Sequence, residues 1–274
     1  MLKRIMLILS VAVMLSGCVN KQMLKEQIAE AIRENPQIVF DAMRERKMDM
    51  LVILEEGISE REKLKRAAQL EAEIQNSFKP RIWDGRPMLG NSDAPVTIVE
   101  YSDFLCPYCS KGASVVSKLA IEQPEKYRLI FKHLPMNEKS RELALVFEAV
   151  ALFDKEKAYK FHDLVFERQR EIYEDKSGAV LNRIIEEVGV DHDLLQKSLN
   201  SVQVQEYLLA DEKEAREFKI NATPTFLVNG VTVRGYLPAE KFEKKVDLIL
   251  EKTTKNAAAE AQEGEACEDC LNQM

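Results

Sequence analysis

Cysteine is scarce in this sequence, and little of it is scattered. The five cysteines are Cys18 and two C-x-x-C pairs, Cys106/Cys109 and Cys267/Cys270. A chain stapled by disulfides spreads its cysteines out, whereas close pairs suit redox chemistry better. Histidine is scarcer still. His133, His162 and His192 lie far apart in helical or strand contexts, so none is assigned a ligand role and no metal or cofactor is expected there. Basic residues are outnumbered, 39 Lys and Arg against 46 Asp and Glu, for a net charge of -7. With no basic stripe, nucleic acid is excluded as a partner, because neutralising phosphates needs clustered Lys and Arg. Residues 21–78 hold one proline, Pro36, and one glycine, Gly57, which leaves little room for turns. There is no internal repeat. The apolar run Ile5 to Leu15, broken by Ser10, is too short to cross a bilayer as a helix.

That run has the features of an export leader. Lys3 and Arg4 precede it, and Leu15-Ser16-Gly17-Cys18 closes it. The last four residues resemble the lipobox of bacterial lipoproteins. The resemblance implies that residues 1–17 are a signal peptide and that Cys18 becomes a lipid-carrying N-terminus. Val19, where an aspartate would retain the chain at the inner membrane, resembles an outer-membrane address. The expected setting is the periplasm-facing cell envelope, where disulfides persist.

Residues 18–80 read as a charged helical segment. Leu24, Ile28, Ala31 and Ile32 follow helical spacing, as do Ile38, Val39, Ala42 and Met43. Asn35-Pro36 restarts the helix. These stripes need cover from the segment itself, from the main domain, or from copies of the chain; the last would make a homo-oligomer through residues 20–78. Lys79 to Pro95, with three prolines and two glycines, reads as a linker. Val96 to Tyr101 predicts a buried strand, Ser110 to Ile121 a helix, and Tyr127 to Lys132 a second strand. Residues 138–218 are a long helical stretch. Thr225 to Asn229 and Val231 to Arg234 form a hairpin around Asn229-Gly230, and Pro238 opens a last helix. The class is α/β, a sheet interrupted by a helical block. Residues 251–274 form an acidic tail carrying Cys267 and Cys270, and from 256 onward it is expected to be mobile.

Cys106-Pro107-Tyr108-Cys109 sits where a strand gives way to a helix. The free N–H groups and dipole of a helix N-terminus stabilise a thiolate. Cys106 is therefore the expected nucleophile, and Pro107 fits the first helical position. Cys109, three residues on, is placed to resolve a mixed disulfide.

The stretch from Leu89 through Val96-Thr97-Ile98-Val99-Glu100-Tyr101-Ser102-Asp103-Phe104-Leu105 to Cys109 resembles the DsbA-type branch of the thioredoxin-like superfamily. Lys132-His133-Leu134-Pro135 and Thr223-Pro224-Thr225-Phe226 resemble its later motifs. The likeness spans residues 86–250 and implies a thioredoxin-like fold with a helical insertion at about 138–218. It implies that Thr223-Pro224 is a cis-proline loop beside the cysteines, facing substrate together with Pro107 and Tyr108. It also implies that Glu100 is a buried acid relaying a proton to or from Cys109. Such enzymes act on unfolded or wrongly bridged exported proteins and exchange electrons with a membrane redox partner.

Thr223 before the proline is more typical of the isomerase side of that family, and residues 20–78 weakly resemble the oligomerisation regions of DsbG-like and ScsC-like members. The reading leans to isomerase or reductase. Its alternatives are a disulfide-donating oxidase, or a lipid-anchored chaperone or metal-binding protein using Cys267/Cys270.

Overall fold

A computed structural model of the chain describes residues 21–271, with side chains described through 256. The lipidation candidate Cys18 lies outside the described residues, and Cys267 and Cys270 lie outside those with described side chains. The chain divides into two compact units, one ending at Arg66 and the other beginning at Ala67.

The first unit is helical: α1 (Lys21–Glu34), α2 (Gln37–Glu45) and most of α3 (Lys47–Gln75). Neither α1 nor α2 buries a residue. Leu24, Ile28, Ile38, Phe40, Leu51 and Ile53 are all exposed. Amphipathic helices gain most of their stability from burying an apolar face, and among the described residues these faces are largely exposed.

The last turns of α3 belong to the second unit. Ile74 is buried with Val96, Ile98 and Val231, and Leu70 packs against the same cluster. A central sheet follows, with strands β1 (Met88–Gly90), β2 (Val96–Ser102), β3 (Tyr127–His133), β4 (Thr225–Val228) and β5 (Val231–Arg234). The order is β1-β3-β2-β4-β5, with β2 and β3 parallel and the other pairs antiparallel. Strand β1 corrects the linker expectation for residues 79–95. Three residues are too few to show alternation, and this strand exists because it pairs with β3. Helix α4 (Pro107–Glu122) joins β2 to β3. The insertion between β3 and β4 comprises α5 (Glu138–Ala151), α6 (Lys155–Glu167), α7 (Gln169–Glu174), α8 (Ala179–Val188), α9 (His192–Leu199) and α10 (Val202–Glu217). The chain closes with α11 (Ala239–Leu271), which runs on through the segment expected to be a mobile tail. Alanine and glutamate fill that segment, and both are strong helix formers.

Strand β2 is buried on both faces, with Val96, Ile98, Val99 and Tyr101 supplying its apolar surface and Glu100 standing among them. Its residues alternate between two cores. Val96 and Ile98 face a cluster with Val116, Phe226, Phe242 and Val246, whereas Val99 and Tyr101 face Ala215, Ile220 and Leu227. A period of two puts Glu100 on the Ile98 side, the side of α4.

A buried ion network ties the insertion to the sheet. Arg86, in the approach to β1, donates to Asp211 at 2.9 Å, to Glu148 at 2.8 Å and to the carbonyl of Phe131 at 3.2 Å. Lys132 lies 3.5 Å from Asp211, and His133 Nε2 lies 3.0 Å from Glu148. Burial pushes the Glu148 carboxyl up, but Arg86, helped by His133 and Lys132, holds it below the usual carboxylate range.

Candidate active site

Helix α4 begins where β2 ends, and Cys106 is its N-cap residue, with extended backbone angles and Pro107 next in the first turn. The helix buries Cys109, Gly112, Ala113, Val116, Leu119 and Ala120, a stripe at helical spacing. This geometry separates the two sulfurs. Cys106 is partly exposed and Cys109 is fully buried, and both are free thiols. Pro107 and Tyr108 are exposed between them.

The sequence brings Thr223 and Pro224 to the same place from 117 residues away. The Thr223–Pro224 peptide bond is cis, and Cys106 Sγ donates to the carbonyl of Thr223 at 3.6 Å. Pro224 is held in turn, its carbonyl accepting from Gly235 N at 2.9 Å. Gly112 lets α4 approach this loop. A Cβ there would meet Phe226 Cζ at 2.9 Å and Pro224 Cγ at 3.3 Å.

The electrostatics divide the labour. The Cys109 thiol, by hydrogen-bonding to Cys106, draws the Cys106 thiol down to about 5 against the opposing effect of burial. Thr223 and the N–H groups of Cys109 and Tyr108 add to the effect. Such a thiol is mainly thiolate at pH 7. Cys109 moves the other way, pushed up by burial first and then by its bond to Cys106. The pair therefore consists of an accessible, acidic sulfur and a shielded thiol that holds its proton.

Glu100 lies on the α4 side of β2, paired across the sheet with Phe131 and Phe226. It is fully buried, and neither carboxyl oxygen has a hydrogen-bond partner among the described residues. Burial raises its carboxyl to about 8. The negative charge of Cys106 adds to it. A carboxyl with this value titrates near neutral pH, as a proton relay requires.

Sequence reasoning passed over Asp103. It is buried, and its carboxylate accepts from Leu105 N at 2.6 Å, Ser140 Oγ at 2.6 Å and Met136 N at 2.7 Å. Its own backbone accepts from Cys106 N at 3.0 Å and donates to Cys109 Sγ at 3.5 Å. Asp103 thus shapes the loop that presents both sulfurs. An Asp just after a buried strand, three residues before a cysteine, was the available signal. His133 and His162 are both buried. His133 lies in the ion network, and His162 sits among Phe131, Phe166 and Tyr159 with Nδ1 2.8 Å from Asp163. Among the described residues no group of three or more His, Cys, Asp or Glu side chains could hold a metal. No helix among them is long and apolar enough to cross a membrane.

Residues 84–248 match the thioredoxin family. "Probable disulfide bond formation protein D" of Bacillus cereus is 30% identical over 151 residues, covering 52% of this chain and 69% of that protein. "Na(+)/H(+) antiporter NhaA 3" of Salinispora tropica is 31% identical over 142 residues, but these span only 21% of its length. The crystal structure of oxidised BdbD from Bacillus subtilis superposes with a TM-score of 0.55 at 26% identity, covering 64% of this chain and 97% of that one.

Proposed function

The chain belongs to the thioredoxin family, in its DsbA-type thiol-disulfide oxidoreductase branch, and from that membership we propose that it exchanges disulfides with exported proteins through Cys106 and Cys109. The observation that carries this is the asymmetry of the pair: one acidic, accessible sulfur beside one buried thiol. In the proposed cycle the Cys106 thiolate attacks a substrate disulfide. The substrate S–S bond breaks, a mixed disulfide forms, and one substrate sulfur leaves as thiolate. Cys109 then loses its proton to Glu100 and attacks Cys106 Sγ. The mixed disulfide breaks, and the substrate leaves with both sulfurs reduced while the enzyme holds the disulfide. The reverse sequence donates a disulfide. Thr223, Pro224, Pro107 and Tyr108 form the rim a substrate chain would meet.

The direction we propose is isomerase or reductase. The apolar faces of α1, α2 and α3, exposed among the described residues, favour a homo-oligomer that holds misfolded chains. A second reading, disulfide donation, draws on the similarity to disulfide bond formation proteins of Bacillus and on the low Cys106 value, since a stabilised thiolate makes the disulfide a stronger oxidant. Attachment through a lipidated Cys18, a periplasm-facing outer-membrane location, a membrane redox partner and a second redox or metal role for Cys267/Cys270 complete the proposal. Cys106→Ser abolishes insulin reduction on this reading, and Cys267→Ser leaves it intact. Normal reduction by Cys106→Ser would sink it. In living cells, a reduced pair identifies the isomerase or reductase, and an oxidised pair the donor.

A further inference from the structure

Gln169 is the first residue of α7, at the point where the helical insertion returns to the loop carrying the cysteines. Its Nε2 donates to two backbone carbonyls of that loop, Phe104 O at 2.7 Å and Cys106 O at 2.9 Å. Among the described residues it is the one side chain hydrogen-bonded to the carbonyl of Cys106. That carbonyl also accepts from Cys109 N at 3.0 Å and Ser110 N at 3.3 Å, the first bonds of α4. One amide of the insertion is therefore built into the helix start that supports the thiolate. The insertion meets the same loop twice more, where Ser110 Oγ donates to Phe166 O at 3.4 Å and where Ser140 and Met136 hold Asp103.

We infer that Gln169 is a positioning residue through which the helical insertion sets the reactivity of Cys106, an inference that rests on the thiol-exchange reading above. Two carbonyl oxygens, each with partial negative charge, lie in the loop that carries the thiolate. The Gln169 amide offers them hydrogen atoms and partial positive charge, and it fixes the first turn of α4 so that its N–H groups stay aimed at the sulfur. A carboxylate of the same shape would offer no donor and add a full negative charge, disfavouring the thiolate. An apolar side chain of the same length would remove the tie without adding charge. Both changes raise the Cys106 value, the carboxylate more.

The test titrates thiolate absorbance of the reduced full chain between pH 3 and 9, with Cys106→Ser as the blank. Gln169→Glu is expected to raise the midpoint by about one unit, a tenfold change in the dissociation constant. At pH 7 that makes the reduction potential of the pair about 30 mV more negative. Gln169→Met is expected to raise the midpoint by about half a unit, roughly threefold. A residue that only packs would lower the melting temperature and leave both midpoint and potential in place. That result in either folded variant overturns the inference. Failure of the parent chain to reduce insulin would instead overturn the thiol-exchange reading, so the two failures are distinguishable.

Discussion

Replacing Glu100 with glutamine keeps the side chain's shape and removes a charge the fold does not accommodate. Glu100 is completely buried, and its carboxyl is raised from 4.5 to about 8, chiefly by burial. A folded-state value above the unfolded one means that the native state holds the proton more tightly. The carboxyl's favourable contribution is therefore complete below pH 4.5 and is lost as pH rises through 8. At 1.36 kcal/mol per unit, the loss is on the order of 5 kcal/mol. An amide has no proton to lose. Urea unfolding of the reduced protein, in steps from pH 4 to 9, should show the parent losing stability relative to Glu100→Gln. The gap should open above about pH 5 and reach several kcal/mol by pH 9. If the two stability curves stay parallel, the carboxyl is not raised and the reasoning fails. On the relay reading the same variant also slows release of the mixed disulfide by about 10²-fold, with attack by Cys106 little changed; equal slowing of both steps would refute the relay.

Three further predictions follow from packing. Gly112→Ala gains about 1 kcal/mol of helix propensity but presses a methyl into Phe226 and Pro224, so a net loss of about 1 kcal/mol is expected in urea unfolding, with slower insulin reduction. A stabilised variant of unchanged rate would contradict the close approach. Arg86→Met strands Glu148 and Asp211 without their cation, and unfolding should show a loss of about 3–5 kcal/mol; a loss below about 1 kcal/mol would mean the network carries little. Deleting the chain through Arg66, but not through 78, should give a folded monomer that keeps dithiol chemistry, because Leu70, Ile74 and Phe78 pack in the second unit. An unchanged number of chains per particle by light scattering would remove the oligomer proposal.

Much of the second unit was legible because its signals are local. The apolar run of β2, the Asn229-Gly230 hairpin and the helical spacing after Cys106 each sit in a short window, and the structure puts elements there. The cis bond at Pro224 was reachable only through the family resemblance. What escaped depends on contacts across the chain. Strand β1 is three residues paired to a strand some forty residues on. Arg86 looked like a loop arginine until Glu148 and Asp211 closed around it. Asp103, Gly112 and Gln169 look ordinary in sequence, because their partners come from α5, from β4 and its cis-proline loop, and from the cysteine loop itself. The acidic segment is a different case: its composition suits a solvated tail and a solvated helix equally well, and it continues the last helix.

The central claim is that Cys106 is the nucleophile and Cys109 the shielded partner. Brief alkylation of the reduced protein with iodoacetamide at pH 6, followed by peptide mass mapping, tests it directly. The account predicts rapid modification of Cys106 while Cys109 stays unmodified until the chain is unfolded. Modification of Cys109 first, or of neither residue at pH 6, would contradict it.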